Sequence, residues 1–268
     1  MKYALFLGCK IPSSLPAYEA STRAVLERLG VTLVDMEFTC CGYPARSYSR
    51  DAFVLAAAHN LALAERAGLN LLTPCACCYG SLRHAMRFLA EDHELRTRVA
   101  QTLAAEELVW SGRVEIEHVL TVLARQVGAD TLAAAVRMPH AGLRVAAQYG
   151  CHLLRPSDVA GFDNPLAPTA FETLIGATGA STVDWPLRLE CCGDPVHAAD
   201  VPLATKMAQA KIADARASEA EVLCTACPHC HLHFEAVKAD GNASSIRTLL
   251  YTQLLGLALG LPAEILGL

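Results

Sequence analysis

The sequence predicts an α/β protein made of two similar halves, each with its own parallel sheet. Three observations point there. Short apolar runs alternate with helix-length stretches, and the runs end at glycines or cysteines. A pattern of five cysteines occurs twice in the same order, as Cys9, Cys40, Cys41, Cys75, Cys78 and as Cys151, Cys191, Cys192, Cys227, Cys230. The neighbours repeat too: Gly8 and Gly150 precede the lone cysteine, Gly42 and Gly193 follow the vicinal pair, Pro44 and Pro195 come two residues later, and Thr73 and Thr225 precede the Cys-x-x-Cys. The offset is 142 residues at the lone cysteine and 151 or 152 at the other four. The chain reads as a duplicated five-thiolate site.

In chain order, Tyr3–Leu7 is a short apolar strand that ends at Gly8 and delivers Cys9 to a loop. Pro16 opens a helix that carries Ala20, Ala24, Val25, Leu26 and Leu29 and stops at Gly30. Val31–Met36 is the second strand and leads to Cys40-Cys41; Asp51 caps an alanine-rich helix to Ala67; Leu69–Thr73 is the third strand and runs into Cys75. Strand, cysteine loop and helix thus recur three times, and ligand loops of such a unit lie at the carboxyl ends of its strands. Residues 81–138 read as a helical insertion, with Leu82–Leu89, Leu95–Leu108 and Val114–Val127 helical. The pattern then restarts: Val145–Tyr149 as a strand, Pro165–Ala177 as a helix capped by Asn164, Thr182–Trp185 as a strand, Pro202–Ala217 as a helix capped near Asp200, Val222-Leu223 as a strand, and Ser245–Leu259 as the closing helix. The halves are expected to be 1–140 and 141–268.

A hydrophobic fraction of 53% over 268 residues, with 18% charged, supplies a sizeable core and argues against disorder. The formal charge of -5, with no Lys/Arg run, argues against nucleic-acid binding. No apolar stretch reaches the ~18 residues of a membrane span. The apolar run before Cys9 is shorter than the ~7–15 residues of a signal peptide, and its counterpart, Val145 to Cys151, lies inside the chain, so a cytoplasmic setting is expected. There, clustered thiols serve as metal ligands or redox groups rather than disulfides.

Thiolate is the ligand form, and four suffice for tetrahedral zinc or an iron–sulfur cube. Adjacent cysteines reach different atoms of a multi-metal cluster more easily than one small ion, so the vicinal pairs favour a polynuclear cluster, with zinc as the rival. The glycine after each pair allows positive φ and a close approach of the backbone. Cys77 and Cys224 fall outside the repeat and read as supporting or structural thiols. His152, His229 and His231 adjoin ligand cysteines and are candidates for hydrogen bonding to them or for proton transfer. His59, His84, His93 and His118 read as solvent-facing helix residues; Tyr79 and Arg83 are weak candidates for lining a substrate opening.

The stretches FLGCKIPSSLPAYEASTRAVLERLG, CCGYP, TPCACCYGSL, YGCHLLRP, ECCGDP, CPHCH and YTQLLGLALGL resemble the catalytic B subunit of heterodisulfide reductase and the wider cysteine-rich CCG-domain proteins. The wider group includes lactate- and glycolate-oxidising components and fumarate reductase subunits; YGCHLLRP and the carboxyl terminus narrow the resemblance to the heterodisulfide reductase branch. The resemblance implies two pseudo-symmetric Rossmann-like CCG domains. It also implies a noncubane [4Fe-4S] cluster in each: one on Cys9, Cys40, Cys41, Cys75 and Cys78, the other on Cys151, Cys191, Cys192, Cys227 and Cys230, with some relatives keeping an ordinary cubane instead. Two facing clusters, each passing one electron, would meet the two-electron need of cleaving or forming an S–S bond. With no Gly-x-Gly-x-x-Gly and no complete ferredoxin run, the chain is expected to work with a flavoprotein subunit and a ferredoxin-like iron–sulfur subunit. The arginine-rich composition points to a bacterial sulfur-oxidising complex, in which the substrate is a disulfide or lipoate-bound sulfur. The alternatives are a non-catalytic electron-transfer subunit of a 2-hydroxy-acid oxidase or fumarate reductase, and a zinc-stabilised binding module.

Overall fold

A computed structural model describes residues 1–239 and 246–268. The first half runs β1 (Lys2–Leu5), α1 (Lys10–Ser14), α2 (Pro16–Arg28), β2 (Thr32–Val34), α3 (Arg50–Arg66), β3 (Asn70–Thr73), α4 (Ala76–Glu91), α5 (His93–Ala104), β4 (Ile116–His118), α6 (Val119–Thr121), a π-helical turn over Val122–Val127, and α7 (Ala129–Ala135). The second half runs β5 (Arg144–Gln148), α8 (Cys151–Leu154), α9 (Ser157–Ala160), α10 (Ala170–Ala177), β6 (Ser181–Thr182), α11 (Val201–Ala217), β7 (Val222–Thr225), α12 (Pro228–Ala239), β8 (Arg247–Leu250) and α13 (Tyr251–Ala258). The two sheets have the same order, β2-β1-β3-β4 and β6-β5-β7-β8, and every pairing in them is parallel. The α/β class and the duplication are therefore as expected. In each sheet the strand order reverses between the two central strands, β1/β3 and β5/β7. This is the crevice where open α/β sheets bind their ligands, and the loops after these four strands carry Cys9, Cys75, Cys151 and Cys227.

Several elements differ from expectation. Val114–Val127 is not one helix: Ile116–His118 pairs with Leu71–Thr73 as a fourth strand before the chain turns helical. The closing segment is likewise strand then helix, with Arg247–Leu250 beside Val222–Thr225; Ser245, its expected start, lies outside the described residues. Among the other boundaries, β6 stops at Thr182 rather than Trp185. α3 is capped by Ser49, whose hydroxyl accepts from Ala52 N–H, while Asp51 sits inside the first turn, where its charge complements the helix dipole. α10 begins at Ala170, not Pro165; Asn164 instead accepts from Leu166 and Ala167 N–H in the preceding turn, and Asp163 receives the N–H groups of Thr169 and Ala170. Asp200 caps α11 as expected, accepting from Leu203 N–H.

The core is continuous from one half into the other. Side chains such as Leu26, Phe53, Leu174 and Leu254 are fully buried, each worth roughly 1.5–3 kcal/mol against exposure. α2 packs on α13 across the halves, with a buried hydroxyl pair between Ser21 and Thr252 at 2.7 Å. α4 packs on α8 and α9. Here Tyr79 donates to the Ala160 carbonyl at 2.5 Å, Arg83 Nε to the Val159 carbonyl at 2.7 Å, and Arg87 pairs with Asp158. Tyr79 and Arg83 thus clamp the halves together rather than line an opening. No helix among the described residues is long and apolar enough to cross a membrane.

Candidate functional site

Helix termini place most of the cysteines. Cys9 is the residue before α1, and Cys151 is the first of α8. Cys75 occupies the N-cap of α4, where its sulfur accepts from Cys78 N–H at 3.4 Å, and Thr73 fixes it by accepting from Cys75 N–H. Cys227 immediately precedes α12, which opens with Pro228. An anionic sulfur is favoured at such a position by unpaired N–H groups and the helix dipole. Neither Cys-x-x-Cys helix start was anticipated from the sequence.

The vicinal pairs are set by their glycines. Gly42 and Gly193 have φ of 85° and 99°, and a Cβ would lie 2.5 Å from the Phe53 carbonyl in α3 or 2.7 Å from the Ala204 carbonyl in α11. Glycine is thus required twice over at each pair, by conformation and by contact. The backbone after each pair turns its N–H groups onto the sulfurs. Gly42 donates to Cys40 and Tyr43 to Cys41; Gly193 donates to Cys191, at 3.4 Å, and Asp194 to Cys192. Cys230 N–H donates to Cys227, as Cys78 N–H does to Cys75.

Nine of the ten predicted ligands form one run of neighbouring sulfurs in hydrogen-bonding reach. It passes Cys40, Cys41, Cys78 and Cys75, crosses between the halves to Cys227, and continues through Cys230, Cys192 and Cys191 to Cys151. Cys9, on an exposed loop, lies outside this run but near enough to Cys40 for its charge to push that thiol up. All twelve cysteines are free thiols. Hydrogen bonds from Cys40 and Cys78, with the Tyr43 amide, pull Cys41 down to about 3; bonds from Cys151 and Cys192, with the Gly193 amide, pull Cys191 down to about 2. Their partners Cys40 and Cys151 are pushed up as proton holders, by the same bonds and by burial. No three His, Cys, Asp or Glu side chains among the described residues meet at the spacing of a single-ion site. The donor set nonetheless fits a polynuclear, thiolate-bound group: five thiols per half, adjacent pairs with different neighbours, and matched amides that stabilise anionic sulfur.

A narrow cleft opens where the halves meet, walled by Cys151, Cys192, Cys227, Cys230, His152 and His229 of the second half and by Tyr43 and Cys77 of the first. Cys77 is therefore a buried wall residue of the cleft, whereas Cys224 is a core thiol on β7 pushed up by burial alone. Tyr43 stands edge-on to His152, with ring centroids 5.5 Å apart. Burial holds His152 below the usual imidazole value. Burial also opposes charge on His229, but its 2.9 Å contact with Asp194 and the nearby Cys227 sulfur outweigh this and raise its pKa. His231 is buried on α12.

His118 corrects the expectation of a solvent-facing helix residue. It ends β4, is fully buried, and lies beside the carbonyls of Pro74 and Ala226, one from each Cys-x-x-Cys loop. Its Nδ1 accepts from Leu120 N–H at 3.2 Å, which assigns the proton to Nε2. Burial pushes its pKa down to about 4, so it is neutral near pH 7. His59 and His84 are half-buried, and only His93 of that group is exposed.

The cysteine-rich domain model CCG matches residues 3–83 and again residues 145–235. The chain is 35% identical over 277 residues to the B subunit of the ferredoxin/F420H2-dependent CoB-CoM heterodisulfide reductase of Methanosarcina acetivorans, covering all of this chain and 92% of that one. It is 36% identical over 275 residues to the 8-methylmenaquinol:fumarate reductase membrane anchor subunit of Wolinella succinogenes, covering all of this chain and 95% of that one. A crystal structure of a hypothetical protein from Helicobacter pylori superposes with a TM-score of 0.80 at 20% identity. That match takes in all of this chain and 51% of the other, and it shows the fold alone.

Proposed function

Because this chain belongs to the cysteine-rich CCG-domain family of heterodisulfide reductase B subunits, we propose that it is the catalytic iron–sulfur subunit of a heterodisulfide-reductase-like complex. In this role it cleaves or forms a disulfide or sulfane-sulfur bond in the cleft between its halves. Cys9, Cys40, Cys41, Cys75 and Cys78 would hold one noncubane [4Fe-4S] cluster, and Cys151, Cys191, Cys192, Cys227 and Cys230 the other. Each cluster, when bound, supplies or accepts one electron.

Support comes from one observation above all. The two cysteine sets meet through the Cys75–Cys227 contact instead of lying at opposite ends of the molecule, and the cleft beside that contact is walled by Cys151, Cys192, Cys227 and Cys230 of the second set and by Tyr43 and Cys77 of the first half. Reducing R–S–S–R′ to two thiols takes two electrons and two protons. The chain's own residues serve the proton side: His229, held by Asp194, is a proton carrier in the cleft wall, and neutral His152 adjoins Cys151. Tyr43, set against His152, and the buried Cys77 give the wall its shape. A cytoplasmic complex with a ferredoxin-like iron–sulfur subunit and a flavoprotein subunit would deliver or collect the electrons, and a disulfide or lipoate-bound sulfur would be the substrate.

The test is single-turnover and steady-state reduction of a model disulfide by the loaded chain with an artificial reductant. Two thiols per disulfide, abolished in Cys192→Ala, is the expected result. A second reading, a non-catalytic electron-transfer subunit, is favoured by the 36% identity to a fumarate reductase subunit. It is upheld if the loaded chain exchanges electrons with dyes yet releases no thiol.

A further inference from the structure

Helices α3 and α11 occupy the same place in the two halves, and each has 17 residues. Their register is fixed by the glycines of the vicinal pairs: Gly42 faces Phe53 and Ala56, and Gly193 faces Ala204 and Met207. In that register Asn60 and Lys211 are the same position. Both are buried, at 0% and 1% exposure. Both hold the backbone that leads into the vicinal cysteines. Asn60 donates from Nδ2 to the Cys40 carbonyl at 3.0 Å and accepts from Thr39 N–H at 2.8 Å. Lys211 donates from Nζ to the Glu190 carbonyl at 2.9 Å and to the Leu187 carbonyl, with its ammonium 4.7 Å from the centre of the Trp185 ring.

The mechanical task is thus the same in the two halves, and a neutral amide suffices for it in the first. A buried lysine is the costlier solution, because its charge loses hydration before its partners offset any of that loss. What it adds is a positive charge under one site only. That charge acts on the sulfurs of Cys230, Cys192 and Cys191. The Glu190 carboxylate opposes it, but Glu190 is exposed and therefore screened, whereas Lys211 is not. Burial pulls the Lys211 pKa down to about 8, which leaves the ammonium form prevailing at pH 7, where two backbone carbonyls and an aromatic face hold it. A fixed cation beside a redox site stabilises the more negative, reduced state, and net local charge is one of the levers that set cluster potentials.

We propose that Lys211 holds the Cys151/Cys191/Cys192/Cys227/Cys230 site at a higher reduction potential than its twin, so that an electron entering the chain rests first on the second half. The asymmetry gives electron movement between two sites built on the same repeat a direction. Lys211 acts here as a positioning and charge-setting residue, and the proposal rests on the iron–sulfur function proposed above.

The test is an anaerobic redox titration of the loaded protein followed by electron paramagnetic resonance, with iron and sulfide determined on the same samples. Wild type is expected to reduce in two steps. In Lys211→Gln, which keeps a hydrogen-bond donor but no charge, and in Lys211→Met, the second-half step should fall by at least a tenfold change in electron partition, which is 59 mV for one electron. Unchanged steps in a Lys211→Gln protein with full cluster content overturn the proposal. A route that spares the lysine uses Cys41→Ala and Cys192→Ala to leave one site intact in each. The step that remains in Cys41→Ala must lie above the one that remains in Cys192→Ala, and the reverse order overturns the proposal. A folded wild-type chain with no iron or sulfide instead overturns the iron–sulfur function itself.

Discussion

Gly80 offers a sign test of how the two halves dock. It lies inside α4, where glycine costs roughly 0.8–1 kcal/mol relative to alanine, so propensity alone says that Gly80→Ala stabilises. Contact says the opposite. A Cβ at Gly80 would lie 2.9 Å from both the Cβ and the carbonyl oxygen of His152 on α8. Neither atom is the free end of a flexible side chain, so the helices must part. Overpacking of this kind costs about 1–3 kcal/mol, and the net expectation is a loss of up to about 2 kcal/mol. For a chain of this size that lowers Tm by up to roughly 8 °C, at 2–4 °C per kcal/mol. Gly176 in α10 is the control. Nothing lies within 4 Å of its would-be Cβ and its φ is not positive, so Gly176→Ala should stabilise by up to about 1 kcal/mol, the helix-propensity gain alone. Differential scanning calorimetry or guanidinium unfolding of the two variants against wild type reads the contrast. A Gly80→Ala protein as stable as Gly176→Ala would refute the α4–α8 contact on which the shared cleft depends.

Three further outcomes follow from side chains named above. Burial holds His118 near 4 against an ordinary 6.5, so the stability it contributes is complete above pH 6.5 and is lost as the pH falls toward 4. Between pH 7 and pH 5 wild type should lose about 2 kcal/mol that His118→Asn does not, by unfolding midpoints at the two pH values. Tyr79→Phe leaves the buried Ala160 carbonyl without its donor and should cost about 1–3 kcal/mol in the same assay. Asp200→Ala removes the cap of α11 and should cost about 1 kcal/mol, with little effect on the first half as read by hydrogen exchange.

Much of this architecture is legible in the sequence, and the failures have physical causes. The first strands of each half could be read because Tyr3–Leu7 and Val145–Tyr149 are apolar runs punctuated by glycine and cysteine. β4 and β8 could not. They are edge strands of three and four residues, Ile-Glu-His and Arg-Thr-Leu-Leu, embedded in stretches whose apolar spacing also suits a helix. The error at β4 carried over to His118. Placed on a helix it reads as exposed; as the last residue of a strand it turns into the core between the two Cys-x-x-Cys loops. Of the ten cysteines that the register of the repeat picked out, the fold brings nine into one run, because that register records equivalent loops in a duplicated fold. It did not show that Cys75 and Cys227 would touch, which depends on how the halves dock, nor that Cys77 would form part of the cleft wall. Asn60 and Lys211 could have been found by extending the repeat past the cysteines, since the offset of 151 residues that relates Cys40 to Cys191 relates them as well.

The most direct test is the iron, acid-labile sulfide and zinc content of the chain purified without exposure to air, with its ultraviolet–visible spectrum. Two tetranuclear clusters predict about eight iron and about eight sulfide per chain and a brown chromophore, with the iron falling to about four in Cys192→Ala. A folded chain that carries zinc and no sulfide would contradict the assignment of these cysteines to redox chemistry.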